Sequence, residues 1–359
     1  MKILITGNMG YVGPGVVDTL RSNHPDATLI GYDMGYFGSC LTNAVVLPES
    51  KLDAQLFGDV RSISPEIFQD VDAVVHLAAI SNDPMGSRYE NVTMDVNYRS
   101  SVRIAGMAKA AGVKSFVFAS SCSMYGAAED RPKTEQSSLN PLTAYARSKA
   151  LTEQDLKPLA DDSFLVTCLR FATACGMSAR LRLDLVLNDF VAGAVASGKI
   201  NVLSDGSPWR PLIHVKDMAR AIDWAITREN VCGGDFLAVN VGCNSWNYQV
   251  KQIAETVANV IPGTIVSVNE SAPPDKRSYR VDFSLYKELA PNHQPLYTLE
   301  QTVKELQNGL VMMNFTDDAF RNSLLMRLRV LSHLQDNGLM NSRLEWTHPV
   351  NHQALVTTV

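Results

Sequence analysis

Tyr145-Ala146-Arg147-Ser148-Lys149 sets a phenol and an ammonium four residues apart. On a helix that spacing puts both on one face, so the two groups can point into the same cleft. A tyrosine ordinarily titrates near pH ~10. A neighbouring positive charge favours the phenolate and brings that value down, which makes the phenol a usable proton acceptor near neutrality. One helix earlier, an apolar run ends in Ser120-Ser121-Cys122-Ser123-Met124-Tyr125-Gly126. A hydroxyl from the end of that run can hydrogen-bond a reacting oxygen from the side opposite the tyrosine. Such a set can take the proton of an alcohol while a hydride leaves the carbon that bears it.

A hydride needs a carrier, and the N-terminus offers a place for one. Gly7-Asn8-Met9-Gly10-Tyr11-Val12-Gly13 directly follows the first apolar run and opens a helical pattern. The spacing is GxxGxxG rather than GxGxxG. Its physics is the same: the backbone of Gly7, Met9, Gly10, Tyr11, Val12 and Gly13 can approach a pyrophosphate, whose charge meets the N–H groups of the helix N-terminus. Asp33 ends the second apolar run, where a carboxylate can accept hydrogen bonds from both ribose hydroxyls. The same carboxylate repels a 2′-phosphate, and no arginine or lysine stands between Gly31 and Lys51 to offset it. NAD is therefore the expected cofactor. Gly58-Asp59-Val60 can set Asp59 against the adenine amino group, and Leu77, Ala78 and Ala79 after His76 leave room for a ribose. A turn aspartate and a small-residue core are the plain structural alternatives for these two segments.

These residues need a scaffold that brings loop ends together. Lys2–Thr6, Thr28–Tyr32, Ala73–Leu77, Ser115–Ser120 and Phe164–Leu169 read as short buried strands. Amphipathic segments at Gly13–Ser22, Val92–Ala111 and Thr143–Leu156 alternate with them. That alternation predicts an α/β fold: a Rossmann-type, doubly wound parallel sheet with helices on both faces. Residues 1–170 form the expected NAD-binding domain, and segments around 211–230 return to it. Residues 171–340 are expected to make a smaller α+β substrate domain. Within it Leu181–Ser197, Lys216–Thr227 and Leu324–Leu334 read as helices, Asn201–Ser204 and Pro211–Val215 as strands. Residues 341–359 read as a C-terminal tail, poorly ordered from Asn351 onward.

Composition sets the outer limits. A chain of 359 residues with a hydrophobic fraction of 46% can bury a substantial core. A net charge of −5 argues against non-specific nucleic-acid binding, which needs a basic face. No run approaches the roughly 20 apolar residues that cross a bilayer. The six cysteines form no CxxC pair and have no histidine at metal-ligand spacing, so no metal site is expected. A reduced, cytoplasmic protein is the expectation that follows.

GNMGYVG, HLAA, SSCSMYG and YARSK, in this order and spacing, closely resemble the extended short-chain dehydrogenase/reductases, and within them the nucleotide-sugar epimerases and dehydratases. The resemblance runs over roughly residues 1–310. It implies Ser121 as the catalytic hydroxyl, Tyr145 as the base, and Lys149 as the group that holds the nicotinamide ribose and the phenolate. It further implies Asn97 as a supporting residue, Ser120 beside the cofactor and Ser123 beside the substrate. For a nucleoside-diphosphate-sugar substrate it implies Arg210 and Arg277 on the diphosphate and Asn188 on the diphosphate or sugar. Two guanidiniums suit a diphosphate because the planar fork matches its oxygens. Asp83 either lines the sugar pocket or forms an Asp-Pro turn, the turn being the stronger reading. Relatives pair through the helices that here span Val92–Ala111 and Thr143–Leu156, which implies a homodimer.

The related 4,6-dehydratases carry an Asp-Glu pair where this chain has Cys122 and Ser123. The related 3,5-epimerases carry a cysteine where it has Ser123. The expected activity is thus redox-neutral epimerisation, most often at position 4 in this family. A keto-sugar reductase is the alternative, ahead of a 3,5-epimerase or dehydratase, and a non-catalytic NAD sensor ranks behind all of these. Thr173 replaces the asparagine of many relatives. Arg180 and Arg182 can recognise a further substrate charge or sit on the surface.

Overall fold

The computed structural model describes residues 1–127, 131–272 and 278–347. Runs rich in valine, isoleucine and phenylalanine become the strands β1 (Lys2–Thr6), β2 (Thr28–Asp33), β3 (Ala54–Phe57), β4 (Ala73–His76), β5 (Ser115–Ser121) and β6 (Leu165–Phe171). Further along come β7 (Thr173–Cys175), β8 (Lys199–Val202), β9 (Trp209–His214) and β10 (Phe236–Val241). Seven of them form one parallel sheet in the order β10-β6-β5-β4-β1-β2-β3. This is the doubly wound order, extended at one edge by β10. The central strands are largely apolar because both faces are covered.

Alternation decides which face each side chain serves. Ile3, Ile5 and Val75 point into the cluster built with α1 (Gly13–Asn23). Leu4, Val74, Phe116 and Phe118 point the other way. That second face carries α2 (Asp83–Arg88), α3 (Glu90–Met94), α4 (Ser100–Ala110) and α5 (Ala144–Leu156). The expected continuous helix over Val92–Ala111 is interrupted by a π-helical turn at Asp95–Arg99. The extra residue per turn leaves the Asn97 carbonyl free for the hydroxyls of Ser101 and Thr152, at 2.7 and 3.0 Å.

α6 (Val186–Ser197) begins five residues later than the sequence suggests. Residues 181–185 stay irregular because their backbone is claimed by side chains: Asn188 donates to the Arg182 carbonyl and the Thr42 hydroxyl accepts from the Leu181 N–H. α7 (Val215–Thr227) packs beside α1 on the large sheet. α8 (Val250–Val260), α9 (Ser284–Leu289), α10 (Leu299–Met312) and α11 (Arg327–Asp336) complete the helices. With β11 (Asn247–Gln249) and β12 (Ile265–Val268), two small sheets form, β11-β9-β7 and β12-β8. α6, α8 and α10 surround the apolar cluster of Leu187, Ile253 and Leu306 beside them. Among the described residues no helix is long and apolar enough to cross a membrane. The tail expected from Asn351 lies outside the described residues.

Candidate active site

β1 and β4 are neighbours, yet the chain leaves them toward opposite sides of the sheet. Their C-terminal ends therefore flank a crevice, the place where open α/β sheets bind ligands. A cavity of about 320 Å³ opens there. Along one side run Gly7, Gly10, Tyr11, Val12, Asp33, Asp59, Val60, Leu77, Ala78 and Ala79; Ser120, Ser121, Ser123, Tyr145, Lys149 and Asp83 line it further along.

The first half is shaped by close backbone approach. Gly7 has φ +77°, and a Cβ there would sit 2.5 Å from the Ala78 nitrogen, so the β1 and β4 loops meet only because position 7 is glycine. A Cβ on Gly13 would fall 1.9 Å from the Asn8 carbonyl oxygen. The loop is thus tight against itself and presents bare backbone at the N-terminus of α1, the cradle a dinucleotide's phosphates require. Asp33 is held at the loop's edge by two backbone donors, Met9 N–H at 3.0 Å and Gly35 N–H at 2.7 Å. Burial pushes its carboxyl above the ordinary range, and those two donors oppose the shift. Asp59 faces the cavity but shares its carboxylate with Arg61 at 2.6 Å. These residues fit a dinucleotide: a glycine cradle, a strand-end carboxylate and small side chains over the remaining length.

In the second half, α5 is capped by Thr143, whose hydroxyl accepts from the Ala146 N–H and donates to Asp83 at 2.7 Å. That fixes the first turn and with it Tyr145. Tyr145 hydrogen-bonds Ser121 side chain to side chain, and Ser121 in turn donates to Ser123 at 2.9 Å. Lys149, one turn along, lies 5.7 Å from the Tyr145 ring centroid and donates to the Ala119 carbonyl at 2.6 Å. Burial pulls its ammonium down to about 7. The phenol departs from expectation. Burial raises Tyr145 above the usual tyrosine value, opposed by the Ser121 hydrogen bond and the Arg182 charge. Desolvation outweighs both.

The chain matches the family described as "NAD dependent epimerase/dehydratase family" over residues 3–242. It belongs to that family. It is 24% identical over 299 residues to UDP-glucuronic acid decarboxylase 6 of Arabidopsis thaliana, covering 80% of this chain and 83% of the relative. It is 27% identical over 235 residues to a UDP-glucose 4-epimerase of Lactobacillus helveticus, covering 62% and 69%. Among solved structures it resembles an NAD-dependent NDP-hexosamine 5,6-dehydratase, TunA, with a TM-score of 0.75 and 21% identity over 88% of this chain and 99% of that one.

Not every expected residue of this epimerase/dehydratase chain reaches the cavity wall. Met9, Gly13, Asn97, Asn188 and Arg210 do not line it. Met9 bonds Asp33 through its backbone instead. Asn97 ties the backbone of Ile80 to Ser148 of α5. Asn188 is fully buried and spends its amide on Tyr11, Arg182 and Gly176. Arg210 donates to the Trp209 carbonyl at 2.9 Å. Arg277 lies outside the described residues. Asp83 opens α2 rather than a plain turn, and its carboxylate raises the Tyr145 value. Cys122 faces the core, its thiol on the Arg170 carbonyl at 3.0 Å, away from the cavity.

Arg180 and Arg182 are buried, not surface groups. Arg180 pairs with Glu49, and Arg182 with Asp184 and Ser81; only Arg182 of the two lines the cavity. Sequence reasoning missed Tyr36, Phe37, Tyr279 and Arg327 in the wall. The first two follow Asp33 closely enough for their position to have suggested it. Arg327 carried no local signal at all.

Proposed function

We propose that this protein is an NAD-dependent epimerase of a nucleotide-linked sugar, inverting one hydroxyl-bearing carbon, C4 in the first instance, through a transient keto-sugar. The observation that carries the reading is the placement of Ser121, Tyr145 and Lys149 in the same cavity as the glycine cradle and Asp33. NAD, when bound, supplies the hydride acceptor and donor that this chemistry needs.

The chain's own groups handle the proton and the oxygen. Tyr145 Oη takes the proton of the sugar hydroxyl from its phenolate form, the form that burial disfavours in the ligand-free site, and Ser121 Oγ holds the same oxygen by a hydrogen bond while it becomes a carbonyl. On return the proton goes back from Tyr145 to the oxygen of the inverted centre, so no proton is gained or lost over the cycle. Arg182 favours the phenolate by its charge. Elimination of water from the keto-sugar calls for an acid and a base next to Ser121. Cys122 is buried away from the cavity, and Ser123 brings a hydroxyl rather than a carboxylate. The 4-epimerase among the relatives supports the same reading.

Purified protein supplied with NAD and a panel of nucleotide sugars tests it. The expected result is a stereoisomer at equilibrium, with no net change in nicotinamide absorbance over many turnovers. A 4-keto-6-deoxy product, or carbon dioxide from a uronic acid substrate, overturns it.

A further inference from the structure

Arg327, the first residue of α11, lies well beyond the residues 3–242 that carry the family match, yet its side chain forms part of the cavity wall. It is 1% exposed. Its Nη2 donates to the Arg180 carbonyl at 2.6 Å, and its guanidinium lies 4.6 Å over the centroid of the Phe37 ring. Nη1 is buried and has no hydrogen-bond partner among the described residues.

Three guanidiniums gather here, and the carboxylates do not match them. Arg180 has Glu49 and Arg182 has Asp184. No ion pair holds Arg327 among the described residues. A guanidinium buried without a counter-ion, with an N–H group unspent, is costly to keep in an apo fold. Its location says what would satisfy it. The loop that carries Arg180 is pinned to the glycine cradle, since Tyr11 Oη donates to the Gly176 carbonyl at 2.5 Å and Ser178 Oγ donates to the Tyr11 carbonyl at 2.7 Å. Phe37 belongs to the segment that follows Asp33. Arg327 therefore lines the same cavity as the phosphate cradle and the ribose carboxylate, next to segments joined to each.

We propose that Arg327 Nη1 donates to the pyrophosphate of the bound dinucleotide, which makes the C-terminal segment a built part of the cofactor site. The inference rests on the NAD-binding reading above. The same segment is tied along the adenosine side: Trp346 Nε1 donates to the Met34 carbonyl at 2.9 Å, Arg61 Nη1 to the Arg343 carbonyl at 2.7 Å, and Tyr36 Oη to the Leu344 carbonyl. A clamp of this kind suits chemistry in which one cofactor molecule serves many turnovers without leaving.

Arg327→Met keeps the bulk of the side chain and removes the charge. Titration calorimetry with NAD, ADP-ribose and NADP, together with melting of the ligand-free protein, gives the test. NAD and ADP-ribose are expected to weaken alike, by on the order of 10- to 100-fold. The ligand-free variant is expected to melt no lower than the wild type, because an unpaired buried charge has gone. Arg327→Lys, which keeps the charge without the fork, is expected to lose less. A lower melting temperature with unchanged NAD affinity assigns the residue a structural role and overturns the proposal; so does a loss confined to NADP, which would place the guanidinium on a 2′-phosphate. If the wild type itself fails to bind NAD, the underlying reading falls; if it binds and the Met variant binds equally, only the role of Arg327 falls.

Discussion

The Lys149 ammonium stands 5.7 Å from the centroid of the Tyr145 ring, but its hydrogen bond goes to the Ala119 carbonyl at 2.6 Å. The pair shares a helix face, as four-residue spacing dictates. What the spacing cannot dictate is the balance of burial against charge. Desolvation drives each toward its neutral form: the phenol up, the ammonium down to about 7.

Tyr145→Phe removes the proposed proton acceptor and little else. The ring stays packed, and the glycine cradle and Asp33 are untouched. Turnover of the true substrate is expected to fall by on the order of 10²- to 10⁴-fold, the usual weight of a positioned acid–base group. NAD affinity should stay within a few-fold of the wild type. Product assays by chromatography, alongside calorimetric NAD titration, separate the two effects, and a fully active variant would remove Tyr145 from the chemistry.

Lys149 also leaves a mark on stability. Its value falls from 10.5 in a free chain to about 7 in the fold. Between those two values the unfolded chain holds the proton and the folded one does not, so stability rises with pH across this window. Below about 7 the full penalty of a buried ammonium is present. Lys149→Met should lose this slope. Melting curves of the ligand-free protein at several pH values from 7 to 9 are expected to climb in the wild type relative to the variant; parallel curves would mean the ammonium is not so enclosed.

The loop and strand end along one half of the cavity were readable because their constraints are local. Gly7, Gly13 and Asp33 act through their own backbone or a strand end, and the sequence shows both. Asn188 and Arg327 explain the opposite outcome. Asn188 has the right residue type, but the Tyr11 hydroxyl and the Gly176 N–H, distant in the chain, claim its amide. Arg327 begins an amphipathic helix that reads as ordinary packing, and only the tertiary fold reveals what its first residue meets. β10 escaped notice for a related reason: Phe236–Val241 becomes a strand by pairing with β6.

Beneath the site, Glu153 joins Ser120 and Arg170, and Arg170 reaches Tyr125, whose hydroxyl donates to Asn240 at 2.7 Å. The ion pair is almost fully buried. Glu153→Gln leaves the guanidinium without its counter-charge and is expected to cost about 3–5 kcal/mol. Replacing both partners, Glu153→Leu with Arg170→Met, should recover much of that loss, because neither charge is then left buried without its partner. Denaturant unfolding of the single and double variants makes the comparison. A double variant no more stable than Glu153→Gln would contradict it.

Asn97 is the remaining link between the two halves, and it acts without touching the cavity. Its Oδ1 accepts from the Ile80 N–H at 2.8 Å, and its Nδ2 donates to the Ile80 carbonyl at 3.0 Å and to Ser148 at 3.2 Å. Ile80 follows Leu77–Ala79 in the cavity wall, while Ser148 sits on α5 between Tyr145 and Lys149. One amide therefore ties the loop after β4 to α5, the helix that carries Tyr145 and Lys149. Asn97→Leu fills the space but leaves the Ile80 N–H and carbonyl unpaired in a dry interior, at about 1–3 kcal/mol for each group. The loop can relieve that cost only by moving off α5, which misplaces Tyr145 against the substrate. Unfolding should therefore show a loss of a few kcal/mol, and kcat should drop more than KM changes. Asn97→Asp, which retains the acceptor for the Ile80 N–H, is expected to fall between the two. Full activity in a destabilised Asn97→Leu protein would show that the amide holds the fold together but does not set the geometry of the site.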